Sequence, residues 1–269
     1  YQVIYFKGKK YCLTRLGFGL CVAPKIMTFI LRHALNTEDD VSKGTDSYID
    51  DIFVNCDVVS CEKVIAVLDR YGLASKPAEL LDDCRVLGFR VKKVDDLYLW
   101  RRDNELPSID LVKTRRDLFS YCGRLVGHYP CASWLRPACS FIKRSSNGLS
   151  WDDQLNSFSL KCILDVDKLV RKSDPVTGKW DVCPSSSCCI WCDASSIGIG
   201  VCLEIGGHVV EDASWLRKAN DGAHINVAEL EAVVKGINLA LKWNLKDLRV
   251  ITDSATVHGS VNSVVLDSH

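Results

Sequence analysis

From Tyr1 to Tyr11 apolar and polar residues alternate through the Gly8-Lys9-Lys10 run, a period of two that predicts a β-hairpin. The period then changes. Ala23–Leu35 is apolar at helical spacing and opens on Pro24, whose missing N–H costs nothing in a first turn, so a helix is expected there. Ser47–Val54 reads as a strand pair, Cys61–Tyr71 is amphipathic at helical period and stops at Gly72, and Arg85–Val91 with Leu97–Trp100 predicts a further strand pair. Thr114–Val126 and Ala132–Lys143 are helical by spacing, with the break at Tyr129–Pro130; Ser145–Gly148 reads as a turn and Asp152–Val170 as another helix. Ser173–Lys179, with Asp174, Pro175 and Gly178, reads as a linker. Beyond it come a strand at Cys189–Asp193, a strand at Ile197–Glu204, a turn at Gly206–Gly207, a strand at His208–Trp215, a helix at Asn226–Trp243 and a strand at Leu248–Thr252.

At 269 residues and 47% apolar content the chain can bury real cores, and length alone suggests one or two domains. It has no uncharged apolar run near the ~18 residues a membrane span needs and no charged leader ahead of an apolar stretch, so neither secretion nor membrane insertion is expected. The first residue is Tyr1 rather than Met, which points to a fragment. Fourteen cysteines in a long chain with no leader read as reduced thiols and not as a disulfide framework. Cys183, Cys188, Cys189 and Cys192 lack paired CxxC spacing and a neighbouring His, so zinc is not expected, and they and His128 are read as core residues.

Net charge is zero, but its distribution is uneven. Residues 1–35 hold six Lys or Arg and no Asp or Glu, and residues 108–150 hold seven basic residues, Lys113, Arg115 and Arg116 among them, against two acidic ones. Basic tracts beside carboxylate clusters suit an enzyme of polynucleotides, whose phosphates must be neutralised along a track. The sharpest candidate chemistry is Tyr48-Ile49-Asp50-Asp51 ahead of the apolar Ile52-Phe53-Val54. Adjacent carboxylates repel, and a divalent cation is their natural compensator.

In order and spacing, three sets of motifs carry a resemblance. Arg15 to Leu20 (RLGFGL), the Tyr48–Asp51 hairpin, Leu68–Leu73 and Val86–Phe89 resemble the palm of reverse transcriptases. Lys113–Gly123, Tyr129–Pro130, Trp134–Pro137 and Trp151 look like the connecting region of retroelement polymerases. Trp191–Ser195 (WCDAS), Gly198–Val201, Asn226–Ala232 (NVAELEA) and Ile251–Ser254 (ITDS) resemble ribonuclease H. The whole resembles a piece of a retroelement Pol polyprotein of the long-terminal-repeat type.

That resemblance implies a multidomain α+β and α/β chain: a partial reverse transcriptase palm at 1–107, a helical thumb and connection region at 108–180, and a ribonuclease H-like mixed sheet with helices at 181–269. It implies RNA-directed DNA polymerase and ribonuclease H activities, with Mg²⁺, or Mn²⁺ in its place, held by Asp50 and Asp51 in the first site and by Asp193, Glu229 and Asp253 in the second. Two ions about 4 Å apart would neutralise the attacking and leaving oxygens in phosphoryl transfer. The Gly17-Phe18-Gly19 turn and Lys113, Arg115 and Arg116 would contact nucleic acid. The partners implied are an RNA template, a DNA primer, their RNA:DNA hybrid and other parts of the Pol polyprotein, with no membrane. The implied location is intracellular: the cytoplasm, a virus-like particle or the nucleus.

Family enzymes add an earlier Asp to the first site, yet residues 1–37 hold none, and a fourth acid to the second, for which Asp267 lies too close to Asp253. The polymerase site is therefore expected to be inactive and the nuclease site truncated. Glu229, read as lying in the first turn of its helix, could equally complement the helix N-terminus. The rival expectation is a decayed or repurposed product that only binds nucleic acid.

Overall fold

The computed structural model describes residues 3–12, 14, 17, 19–182, 187–218, 222–245 and 247–259. The chain forms two compact units, Tyr1–Glu79 and Leu80–His269.

In the first unit, β1 (Val3–Phe6) and β2 (Lys9–Cys12) form an antiparallel hairpin. Its turn is Lys7–Gly8 and not the Gly-Lys-Lys run, because both residues take the positive φ that a two-residue turn needs. Helix α1 spans Ala23–Leu35 with Pro in its first turn, as expected. A short helix not anticipated from sequence, α2 (Asp39–Gly44), leads into β3 (Thr45–Tyr48), which pairs with β4 (Asp51–Val54). Helix α3 (Cys61–Arg70) starts at Ser60, whose hydroxyl accepts the Lys63 N–H, and ends before Gly72 at φ +69°. Its residues Val64, Val67 and Leu68, spaced to share one face, close a core with Leu31 and Leu35 of α1 and Val41 of α2, and Ile52 and Val54 of β4 pack against that core. The β3–β4 hairpin is thus held from its base, leaving its tip in solvent.

The second unit contains two sheets. The first has the order β5 (Arg85–Val86), β6 (Phe89–Val94), β7 (Leu97–Arg102), β8 (Thr177–Lys179). Two expectations are corrected here. Arg85–Val91 is not one strand, since Leu87 and Gly88 both turn to positive φ and fold β5 back on β6. Ser173–Lys179 is not a linker either: Thr177–Lys179 pairs with β7, Thr177 Oγ1 donates to Trp100 O at 2.9 Å, and Asp174 binds Arg102 Nε at 2.7 Å. Arg102, whose side chain is 6% exposed, also donates to the carbonyls of Arg124 and Leu125, where the next helix runs out of intrahelical donors.

That helix, α4 (Arg115–Val126), is followed by α5 (Leu135–Ser145) and α6 (Ser157–Lys172), the last starting five residues later than its pattern suggested because Asn156 caps it. Thr114 and Asp117 make a reciprocal capping box at the start of α4: the Thr hydroxyl takes the Asp117 N–H and the Asp carboxylate takes the Thr114 N–H at 2.9 Å. Those hydrogen bonds hold the Asp117 carboxyl below its ordinary range. Its folded-state pKa being depressed, the stability it lends is present at neutral pH and is lost as pH falls below about 4. Thr114→Ala is expected to cost about 1 kcal/mol at pH 7, and the difference from the parent should shrink in urea melts taken at progressively more acid pH. Deeper in, the buried Asp167 of α6 accepts from Tyr121 of α4 and from Arg171 Nε at 2.9 Å.

The second sheet has the order β11 (His208–Leu216), β10 (Gly198–Ile205), β9 (Cys188–Ala194), β12 (Arg249–Ile251), with β12 parallel to β9 and the other pairs antiparallel. Strand residues alternate between a face covered by helix α7 (Ile225–Lys242) and an opposite face. Cys188, Ile190, Cys192, Val201 and Leu203 pack on Ala228, Ala232, Val233 and Leu239. Gly236 lets helix and sheet approach, since a Cβ there would lie 2.4 Å from Ile190 Cγ2. Cys188 and Cys192 therefore serve as small core residues, and burial pushes the Cys192 thiol up to about 12. Cys189 is half-buried on the other face and Cys183 lies outside the described residues. On β11, Asp212 accepts from Arg136 and from the N–H groups of Ala132 and Ser133, fastening the segment before α5 to the sheet. Among the described residues no helix is long and apolar enough to cross a membrane.

Candidate functional site

Parallel pairing puts Ile251 of β12 beside Trp191 of β9. The strand ends there, and Asp253 follows two residues later at the same end of the sheet as Asp193 of β9. Both carboxylates are exposed and both line one cleft of about 710 Å³, with Trp134 and Pro137 near α5, Trp191 of β9 and Asp212 of β11 on its walls. Glu229 is the fifth residue of α7, one residue past the first turn in which the sequence placed it. It is half-buried and accepts a hydrogen bond from Ser254 Oγ. Ser254 is buried and its Oγ also accepts from Val257 N, so it caps the helical turn at 255–259 while tying Glu229 to the residue after Asp253. Asn226 Nδ2 to Thr256 Oγ1 at 3.4 Å is a second tie between the same two segments. The signal for Ser254 is in the sequence, a small hydroxyl residue directly ahead of a helical run, whereas nothing local marks Asn226.

In kind, three carboxylates suit a hard cation such as Mg²⁺. They are not gathered: among the described residues no three His, Cys, Asp or Glu side chains stand together as a metal cluster. Two face the cleft and the third is engaged by Ser254. Asp267 lies outside the described residues.

In the first unit Asp50 and Asp51 occupy the β3–β4 tip, with Tyr48 paired to Asp51 and Ile49–Asp50 as the turn. Both carboxylates are exposed. Ile49 has φ +57°, a left-handed conformation that costs a β-branched residue about 1–2 kcal/mol. Gly19 has φ +84°, which its lack of a Cβ allows; Gly17 is half-buried, and Phe18 and Arg15 lie outside the described residues. On α1, Lys25, Phe29, Arg32 and His33 line a shallow groove, with Phe29 75% exposed.

Residues 193–267 match the family described as reverse transcriptase-like, and residues 114–172 match a domain of unknown function (DUF7047). The second match begins at the Thr114 cap and ends with α6. Among solved structures, the foamy viral protease-reverse transcriptase dRH in complex with double-stranded DNA is similar over 96% of this chain and 47% of its own, with a TM-score of 0.70 at 14% identity. The foamy viral protease-reverse transcriptase in complex with double-stranded DNA covers 96% of this chain and 56% of its own, with a TM-score of 0.68 at 14% identity. The chain has a reverse transcriptase fold. It spans about half the length of these solved relatives. No curated protein matches it.

Within this reverse transcriptase fold the three basic residues singled out at the start of α4 separate. Lys113 is exposed. Arg116 is exposed but bound to Asp152 at 2.9 Å, and its guanidinium holds the Asp152 carboxyl below its usual range. Arg115 is half-buried, donates to Leu149 O at 2.6 Å and lies 4.9 Å from the Trp151 ring and 5.2 Å from the Phe119 ring. Its place is explained by packing on those rings. His128 is exposed, not a core residue; its ring stacks on Tyr129 at 5.0 Å and meets Leu87 O at 3.1 Å.

Proposed function

We propose that the mixed sheet carries a ribonuclease H site that cuts the RNA strand of an RNA:DNA hybrid, and that the Asp50–Asp51 hairpin belongs to an RNA-directed DNA polymerase site of the same retrotransposon Pol polyprotein. The observation that carries the reading is the pair Asp193, near the end of β9, and Asp253, two residues past the end of the parallel neighbour β12, both opening on one cleft within the residues that match the reverse transcriptase-like family.

Asp193 and Asp253, with Glu229, would hold Mg²⁺, which when bound neutralises charge on a reacting phosphate. Without such compensation the two carboxylates would repel a phosphodiester. Ser254 orients Glu229 and lends it a hydrogen bond, keeping the third carboxylate beside the other two segments of the site. The cleft walls, Trp134 and Trp191 among them, limit how closely bulk water surrounds a bound strand. A 2'-hydroxyl is the group by which RNA could be told from DNA here.

At the hairpin, strain held at Ile49 fits a functional turn, since such strain persists where the surroundings fix it. Lys25 and Arg32 beside the exposed Phe29 offer charge and a stacking surface for template or primer. The two solved relatives are complexes with double-stranded DNA, which supports a nucleic-acid duplex as partner. An RNA:DNA hybrid incubated with the chain in Mg²⁺ should lose its RNA strand slowly while its DNA strand stays whole. Equal loss of both strands would sink the assignment to ribonuclease H.

A further inference from the structure

We propose that Cys56 and Cys61 are a reversible redox pair, joined by a mild two-electron oxidant into a disulfide that clips the end of the carboxylate hairpin to the start of α3. Their Sγ atoms lie 3.8 Å apart. A bond requires about 2.05 Å, a closure that the exposed segment between them can supply. The approach is built by the backbone: Asn55 O accepts from Val58 N at 3.0 Å and Val59 N at 3.1 Å, and Asn55 Oδ1 accepts from Asp57 N at 3.0 Å. Val59 is anchored in the core, and Ser60 caps α3, so Cys61 is fixed as that helix's first residue. A further thiol pair in hydrogen-bond contact, Cys122 and Cys139, is buried on both sides and shielded from oxidant. Cys56 is exposed and Cys61 partly so.

Exposure assigns the roles. Burial pushes the Cys61 thiol up, opposing the help that a helix N-terminus gives a thiolate, so Cys56 reacts first and Cys61 resolves. With hydrogen peroxide, the Cys56 thiolate takes one oxygen to become a sulfenic acid, and the hydroxide released leaves as water with the thiol's proton. The Cys61 sulfur then attacks the Cys56 sulfur; the S–S bond forms as the S–O bond breaks, and the hydroxyl leaves as a second water with the Cys61 proton. Two thiols and one peroxide become one disulfide and two waters, and a dithiol reductant reverses the change. Since β4 begins at Asp51 and Cys56 follows it closely, the clip would restrain the strand that presents the carboxylate pair.

The test uses the whole folded chain, hydrogen peroxide near stoichiometric amounts, alkylation and trypsin. Residues 44–63 form one tryptic peptide holding both thiols. It should emerge two hydrogens lighter and unalkylated, and doubly alkylated when reductant precedes the alkylating agent. In Cys56→Ser, Cys61 should stay alkylatable, and in Cys61→Ser, Cys56 should stop at a sulfenic acid that dimedone traps; Cys56, being exposed, can be replaced without disturbing the core. Alkylation of both thiols after oxidation would overturn the proposal. So would Cys56 advancing to sulfinic acid beside a free Cys61, or pairing of either thiol with Cys12, Cys21 or a second chain.

Discussion

Asp212→Ala is expected to destabilise the second unit by about 3–5 kcal/mol, the usual cost of removing one member of a shielded ion pair. The side chains of Arg136 and Asp212 are 22% and 14% exposed, so water offers little replacement. Three donors converge on that carboxylate, Arg136 Nε and the N–H groups of Ala132 and Ser133, and all three lose their acceptor together. Arg136 keeps Pro130 O at 2.8 Å, but its charge is stranded. Asp212→Asn retains an acceptor for the N–H groups and should cost less, about 1–2 kcal/mol. Urea melts of the two variants and the parent check this. A midpoint for Asp212→Ala indistinguishable from the parent would show that the segment before α5 is held by packing alone. Because Asp212 also lines the cleft of Asp193, the same variant loosens one wall of the proposed nuclease site.

Asp193→Asn is expected to lower cleavage of the RNA strand on the order of 100-fold or more, since metal-assisted charge stabilisation is worth several kcal/mol and every ~1.4 kcal/mol is tenfold. The change is nearly isosteric. Asp193 is exposed at the end of β9, on the face away from α7, so the core of Ile190 and Cys192 is untouched and stability should move by less than about 0.5 kcal/mol. Hybrid affinity, measured with EDTA present so that cation binding does not enter, should change little. Asp253→Asn should behave alike, because the two carboxylates share one cleft. Equal activity in either variant would separate that residue from the reaction, whatever its position.

Most of the local structure was legible because its causes are local. Pro24, Gly72, the apolar spacing of α3 and the Thr114 cap each act within a turn of the residue they govern, and the helices and strands of the mixed sheet follow their periods closely. What was not legible depends on distant partners. Nothing within Thr177–Lys179 marks a strand; it is one because β7 offers an edge and Arg102 binds Asp174. Leu87 carries no turn signal, yet its positive φ splits a strand in two. At the candidate site, Asp193 and Asp253 could be picked out as strand-end acids, but the engagement of Glu229 by Ser254 joins α7 to the segment after β12 and exists only once the sheet is folded. Arg115 and Arg116 counted equally as positive charge in the sequence, whereas packing on Trp151 and pairing with Asp152 give both of them structural work.

The central claim, a metal-dependent nuclease site at Asp193 and Asp253, is tested most directly by following an end-labelled RNA strand in an RNA:DNA hybrid. Three incubations suffice: the parent chain in Mg²⁺, the parent chain in EDTA, and Asp193→Asn in Mg²⁺. The expected result is slow shortening of the RNA in the first alone. Shortening that persists in EDTA or in the variant, or RNA left whole in all three by chains that still bind the hybrid, would contradict the claim.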